Sequence, residues 1–190
     1  MKELLLIGTT VLALTTSGVT VGNVSNTSQP HVRGEHTSVA LIHESELRAQ
    51  AQADMLKQIA IQESTDKVNA AIDSLKTHVG KTWYVFSGNT PAGWDCSGLT
   101  MWFYQQLGIE LEHRASKQEL AGTKVTDPKP GDLVVFKYNG NKSAYHVGIY
   151  IGNGEMIHAP KHGHVTRVEN IKTFAGNYSK VSYFNFIETL

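Results

Sequence analysis

The sequence predicts an α+β domain in which helices come first and an antiparallel sheet follows. Residues 43–79 contain neither Pro nor Gly and are rich in Ala, Gln, Glu, Lys and Leu, which favours helix. From residue 130 onward, short runs of β-branched and aromatic residues alternate with Gly, Asn and Pro, which is typical of strands joined by tight turns. A chain of 190 residues suits one domain with extensions better than two full domains.

The N-terminus resembles a signal peptide. Within residues 1–22, an apolar run from Leu4 to Leu14 is followed by small polar residues. The run is shorter than the roughly 20 apolar residues of a spanning helix, so we expect no stable membrane insertion of the mature protein. A simple apolar segment is the alternative. Residues 23–40 hold few large apolar side chains and predict a flexible linker. Together these segments predict a secreted or cell-wall-associated protein.

Residues 41–80 are predicted to form a helical arm of one or two helices, because Ser64 and Thr65 are good caps for a second one. Gly80 is the predicted stop. Four apolar residues of the arm share one helix face: Val68, Ile72, Leu75 and Val79. We expect this end of the arm to pack on a catalytic domain at 81–190, and the arm is also a candidate for helix-mediated self-association.

The remaining elements follow from local patterns. Cys96 to Leu107 has a helical apolar stripe and ends at Gly108. The Gly152-Asn153-Gly154 sequence suits a tight hairpin turn, because Gly and Asn accept positive φ. Five segments are strand candidates: 133–136, 145–151, 155–159, 165–168 and 183–187.

Charge and cysteine content narrow the function. Seventeen Lys and Arg balance seventeen Asp and Glu, and no dense basic run occurs, which disfavours nucleic acid as the main partner. The chain has one cysteine, so in an exported protein this thiol would have no internal disulfide partner.

That cysteine, Cys96, is a candidate nucleophile. It follows a Gly- and Pro-rich stretch and opens a predicted helix, whose positive dipole end is expected to help the thiol lose its proton. His146 is the candidate base, and His158, across the predicted hairpin, would orient it by a hydrogen bond. A small buried hydrophobe is the alternative for Cys96.

Five motifs in order resemble the NlpC/P60 family of cysteine peptidases, over roughly residues 68–170. They are Asp95-Cys96-Ser97-Gly98-Leu99, Arg114-Ala115-Ser116, Pro130-Gly131-Asp132-Leu133, His146-Val147-Gly148-Ile149-Tyr150-Ile151-Gly152 and Met156-Ile157-His158-Ala159. The resemblance implies a papain-like core, with N-terminal helices packed on the sheet, that cleaves peptide bonds in cell-wall stem peptides, commonly next to γ-D-glutamyl residues. We expect no cofactor.

The resemblance also implies a role for Tyr84 as an oxyanion donor beside the backbone N–H of Cys96. Where the family has two glycines after this tyrosine, the chain has Ser87-Gly88. A purely structural aromatic is the alternative for Tyr84. Asp95 is expected to pair with Arg114 or to cap local backbone. The candidate substrate-binding residues are Asp95, Ser97, Arg114 and Ser116.

His158, His162 and His164 have a His-x-x-x-His-x-His spacing that invites a zinc site, with His113 as a further candidate ligand. Pro160, Lys161 and Gly163 indicate a loop there, and it carries no acidic or cysteine ligand, so we expect no metal.

The sequence therefore predicts a cysteine peptidase acting on peptidoglycan stem peptides as a γ-D-glutamyl-diamino-acid endopeptidase, with a bell-shaped dependence of rate on pH. An N-acetylmuramoyl-L-alanine amidase, an acyltransferase with the same nucleophile, and an inactive helical scaffold or adhesin are the alternatives.

Overall fold

The computed structural model describes the backbone of residues 35–187 and the side chains of residues 41–187. The chain divides into two units, residues 1–47 and 48–190. In the first unit, the described residues 35–47 are helical throughout. The signal-like segment 1–22 and residues 23–34 of the expected linker lie outside the described residues.

The first helix, α1, spans Glu35–Lys76 without a break. The alternative of a second helix capped by Ser64 and Thr65 is wrong, because the Thr65 hydroxyl donates to the Ile61 carbonyl within the helix (2.8 Å). The helix also begins before the expected boundary at residue 41, since no Gly or Pro interrupts it. After its end, Gly80 adopts a left-handed conformation (φ 74°). No helix among the described residues is long and apolar enough to cross a membrane.

The other elements form a small two-stranded sheet, a six-stranded sheet and three short helices. In chain order they are β1 (Asn89–Thr90), β2 (Gly93–Trp94), α2 (Cys96–Gln105), α3 (Ala115–Ala121), β3 (Thr123–Val125), β4 (Leu133–Tyr138), β5 (His146–Gly152), β6 (Glu155–His158), β7 (Arg167–Asn170), α4 (Ile171–Ala175) and β8 (Ser179–Asn185). The six-stranded sheet is antiparallel, with the order β3-β8-β4-β5-β6-β7. The predicted α+β class is confirmed.

The sheet is covered on both faces. Alternate residues of β4 point to opposite sides, so Leu133 and Val135 pack towards α2 and the end of α1, whereas Val134 and Phe136 pack towards α4. On the α1 side, the apolar face expected to meet the core does so: Val68, Ile72 and Leu75 are buried. A continuous apolar run such as that of β4 therefore reflects burial on both faces.

The hairpin formed by β5 and β6 turns at Gly152-Asn153-Gly154, as the sequence predicted. Asn153 and Gly154 both have positive φ (53° and 73°). Ile149 pairs with Ile157 in this hairpin. Its open end therefore carries His146, the first residue of β5, close to His158, the last residue of β6.

Candidate active site

Cys96 is the first residue of α2, and Asp95 before it is the N-cap. Asp95 has extended backbone (φ −90°, ψ −176°), and its carboxylate accepts a hydrogen bond from the backbone N–H of Gly98 at 2.8 Å. The preceding residue, Trp94, is fully buried and donates its indole N–H to Thr166 Oγ1 at 2.7 Å. The two residues before the partly buried Cys96 thus anchor the entry into α2.

The Asp95 carboxylate has three further donors. They are the backbone N–H of Ser87 (3.0 Å), the Ser97 hydroxyl (2.9 Å) and His113 Nε2 (2.9 Å). The expectation that Asp95 caps local backbone is confirmed. The expected pairing with Arg114 is not made: Arg114 is exposed at the start of α3, and the neighbouring His113 takes that place.

The same contacts keep Asp95 ionised. Burial alone would raise its pKa, but the hydrogen bonds from Gly98, His113 and Ser97 outweigh it and lower the pKa. With four donors on its two oxygens, Asp95 works as an anchor for the first turn of α2.

His146 and His158 are in direct contact at the open end of the hairpin. His146 Nε2 lies 2.7 Å from His158 Nδ1, and the two rings are nearly perpendicular (88°). Both rings are buried, with residual exposures of 4% and 0%. Nδ1 of His146 has no hydrogen-bond partner among residues 41–187, so no described residue occupies this nitrogen.

A carboxylate that the sequence analysis missed completes this row of groups. Glu169 Oε2 lies 3.0 Å from His158 Nε2 and also accepts from Arg167 Nε at 2.9 Å. The sequence carried a signal for this contact: Arg167 and Glu169 both follow His158, and residues two apart on a strand share a face. It was obscured because the strand lies at 167–170 instead of the expected 165–168.

Phe174 of α4 covers the two imidazoles. Its ring centroid lies 4.8 Å from that of His146 and 4.9 Å from that of His158. The helix α4 was not predictable from the sequence, because its five residues are too few to show a helical period. Asn170 caps this short helix by accepting from the backbone N–H of Thr173.

The environment of the Cys96 sulfur differs from the sequence expectation. Burial raises the pKa of the Cys96 thiol to about 11, and the Asp95 carboxylate adds to the rise. Backbone hydrogen bonds from Val147 and from the start of α2 oppose this but do not cancel it. The backbone N–H groups at the start of α2 do lower the pKa of the thiol, as expected, but burial outweighs them and the net shift is upward.

Burial acts on the imidazoles in the opposite direction. It lowers the pKa of His146 well below 6.5, with His158 adding to the fall and Asp95 opposing it. It also lowers the pKa of His158 to about 3, reinforced by the Arg167 guanidinium. At neutral pH the resting site thus holds a protonated thiol and two neutral imidazoles.

These two shifts predict acid sensitivity of the fold. Below pH 6.5 the unfolded chain gains protons at His146 and His158 while the folded chain keeps both rings neutral. The free energy of unfolding is therefore greatest above pH 6.5 and decreases as the pH is lowered, with a slope that approaches about 1.4 kcal/mol per pH unit for each ring well below pH 6.5. Urea unfolding of the parent and His158→Asn proteins between pH 6.5 and 5 should give the variant the shallower fall. Equal slopes would contradict neutral burial of His158.

Tyr84 lies beside the same sulfur. Its backbone N–H donates to the His164 carbonyl at 2.9 Å, which ties it to the loop before β7. Burial raises the pKa of the Tyr84 phenol, and the nearby Cys96 and Asp95 raise it further. The phenol is therefore a hydrogen-bond donor at neutral pH.

The other expected substrate-binding residues differ in exposure. Ser97 is buried, with its hydroxyl on Asp95 and its carbonyl accepting from Gln118 Nε2 at 2.9 Å. Arg114 is exposed and Ser116 is partly exposed, both at the start of α3. Ser97 thus makes contacts within the fold around α2, whereas Arg114 and Ser116 are accessible to solvent.

The histidines considered for zinc do not converge. His113 bonds to Asp95 and His158 bonds to His146 and Glu169. Within residues 41–187, no group of three or more His, Cys, Asp or Glu side chains has the arrangement of a metal site.

The fold is the papain-like α+β core that the resemblance implied, preceded by a helix, and comparison with known proteins agrees. The model of the NlpC/P60 family matches residues 80–188, more than half of the chain. The chain belongs to the NlpC/P60 family.

Similar proteins in curated collections include "Probable endopeptidase p60" of Listeria innocua, 42% identical over 96 residues. A probable endopeptidase of Mycobacterium tuberculosis is 41% identical over 101 residues. These matches cover 50% and 52% of this chain but only 20% and 25% of the relatives. The chain thus spans about a quarter or less of these relatives' length.

Solved structures share the domain. The NlpC/p60 domain of the peptidoglycan hydrolase SagA is 34% identical with a TM-score of 0.54, covering 63% of this chain and 98% of that one. An NlpC/P60 family protein from Bacillus cereus is 28% identical with a TM-score of 0.57, covering 63% of this chain and 40% of that one.

Proposed function

We propose that the chain is a cysteine peptidase that hydrolyses amide bonds in peptidoglycan stem peptides, with residues 81–190 as its catalytic domain and residues 41–80 as a helical arm. The observation that carries the proposal is the buried His146–His158 pair, in which Nδ1 of His146 has no partner among residues 41–187. The backbone N–H of the next residue, Val147, donates to the Cys96 sulfur. Family membership and relatives named endopeptidase or peptidoglycan hydrolase support this substrate class.

The first step joins the thiol to the carbonyl carbon of the substrate amide. As sulfur attacks, its proton passes to Nδ1 of His146, and the carbonyl π electrons move to oxygen. Proton transfer accompanies attack, because the resting thiol has a pKa of about 11 and is not already ionised. The oxyanion is stabilised by the Tyr84 phenol and the backbone N–H of Cys96 at the start of α2.

The second step breaks the C–N bond. The leaving amine takes the proton from His146 Nδ1, and a thioester remains on Cys96. Water then attacks the thioester and gives one proton to His146, which returns it to sulfur as the acid product leaves. His158 holds the imidazole of His146 in place during both steps through its 2.7 Å contact with Nε2.

The proposed bond is that between γ-D-glutamate and the diamino acid of the stem peptide. The proposed place of action is outside the cytoplasm, secreted or attached to the wall, where such peptides occur. Residues 1–22, with their resemblance to a signal peptide, support export.

Peptidoglycan fragments incubated with the purified protein test this proposal by mass spectrometry of the products. The expected products are one fragment that ends in γ-D-glutamate and one that begins with the diamino acid. A free stem peptide separated from the sugar would identify an amidase, and transfer of the acyl group to an added amine would identify an acyltransferase. No change in the fragments would favour the scaffold.

The pKa shifts predict a broad pH profile. The acidic limb of kcat/KM reflects protonation of His146 and lies below pH 6.5, and the alkaline limb moves from the usual thiol range towards pH 11. We therefore expect kcat/KM to be level from pH 7 to 9. Initial rates with a stem-peptide substrate across pH 5 to 10 check this, and a fall between pH 7 and 9 would contradict the burial of the thiol.

A further inference from the structure

His146 can accept a proton on Nδ1 only in the tautomer that carries its proton on Nε2. Two charged residues lie on β7, where they can select this tautomer. We propose that Glu169, held by Arg167, is a positioning residue that fixes the tautomers of His158 and His146 and so leaves Nδ1 of His146 unprotonated. The inference rests on the proposed function insofar as His146 is taken as the base for Cys96.

The geometry follows from strand pairing. β7 is the edge strand beside β6, and Arg167 is the direct partner of His158 in their register. Glu169, two residues further, points to the same face of the sheet. Its Oε2 therefore accepts from three nitrogens: His158 Nε2 at 3.0 Å, and Arg167 Nε at 2.9 Å and Nη2 at 2.6 Å.

The direction of every hydrogen bond in this row follows from Glu169. A carboxylate only accepts, so the proton of neutral His158 lies on Nε2 and its Nδ1 is an acceptor. The 2.7 Å contact then requires that His146 Nε2 carries the proton. Nδ1 of His146 is left as the unprotonated nitrogen, which is the form that can take the proton of a thiol.

Arg167 favours the neutral form of His158. The titratable or charged groups around the two imidazoles are Arg167 and Glu169 from β7, Asp95 before α2, and Tyr145 before β5, whose ring centroid lies 6.3 Å from that of His146. Cys96 is the proposed partner of His146, and α4 contributes the uncharged Phe174. Without Arg167, the Glu169 carboxylate would favour a second proton on His158. That proton, on Nδ1, would point at His146 Nε2 and push the remaining proton of His146 to Nδ1, which would remove the base.

The first test compares three proteins with the same stem-peptide substrate. Glu169→Met removes the acceptor at similar volume, and we expect kcat to fall by about 10- to 100-fold with KM nearly unchanged. Glu169→Gln keeps an acceptor oxygen, and we expect it to retain most of the kcat that Met loses. A folded Glu169→Met protein with the parent kcat, or equal losses in the two variants, would overturn the proposal.

The second test uses the cation. Arg167→Met should move the acidic limb of kcat/KM upward by about one pH unit, since an unneutralised carboxylate raises the pKa of its histidine partner. Lys76→Met is the matched control, because it removes a cation from an exposed ion pair with Asp73 on α1. The proposal fails if the limb of Arg167→Met stays where the parent and Lys76→Met proteins have it.

A third measurement does not depend on activity, so it separates this proposal from the proposed function. Imidazole nitrogen chemical shifts of ¹⁵N-histidine-labelled parent protein at pH 7 report which nitrogen of each ring carries the proton. We expect protons on Nε2 of both His158 and His146. A proton on Nδ1 of either ring would overturn the tautomer assignment, whether or not the protein cleaves peptidoglycan.

Discussion

Replacing Cys96 with alanine is expected to abolish turnover while leaving the fold intact. No other thiol exists in the chain to take over the attack, so we expect kcat to fall by about five orders of magnitude or more. Asp95 and Trp94 anchor this turn by hydrogen bonds that do not involve the Cys96 side chain, so we expect the variant to keep them. Product formation from peptidoglycan fragments, followed by mass spectrometry, gives the rate, and the thermal unfolding midpoint reports the fold.

The Lys76→Met protein serves as the reference preparation for this comparison, because its exposed ion pair lies outside the proposed machinery. A Cys96→Ala protein that digests the fragments at the rate of the Lys76→Met protein would show that Cys96 is not the nucleophile.

Two substitutions of His158 should distinguish the contribution of its hydrogen bond to kcat from the contribution of its ring. The new amide side chain of a His158→Asn protein would still offer an oxygen to His146 Nε2, so we expect kcat to stay within about 100-fold of the parent value. His158→Ala removes the acceptor for His146 Nε2 and the imidazole that Glu169 contacts. We expect kcat to fall by about 10³-fold or more. Steady-state kinetics of both variants, each with its unfolding midpoint, provide the comparison.

We expect KM to be nearly unchanged in this series, since His158 is fully buried and its ring nitrogens contact His146 and Glu169. If His158→Ala were as active as His158→Asn, the role of His158 in orienting the base would be refuted.

Features with a local signature were predictable from the sequence. The hairpin turn at Gly152-Asn153-Gly154 follows from residues that accept positive φ, and α2 follows from its cap and apolar stripe. The contact of Val68 and Leu75 with the core follows from their spacing on one helix face. The order of the motifs around Cys96 and His146 was enough to indicate the family.

Features that depend on tertiary neighbours were not predictable. Asp95 meets His113 instead of Arg114 because the course of the chain before α3 decides which side chain turns inward. Glu169 was missed because its partner His158 lies on a different strand. The pKa of Cys96 was misjudged because burial depends on the packed domain, whereas the helix dipole can be inferred from local sequence.

Capture of the acyl-enzyme tests the Cys96–His146 pair most directly. The protein is mixed with a stem-peptide substrate, quenched in acid during turnover, and digested for peptide mapping by mass spectrometry. We expect the peptide containing Cys96 to gain the mass of the acyl fragment in the parent protein and to gain far less adduct in the His146→Ala protein. Product formation with no adduct on Cys96, or equal adduct in the two proteins, would contradict it.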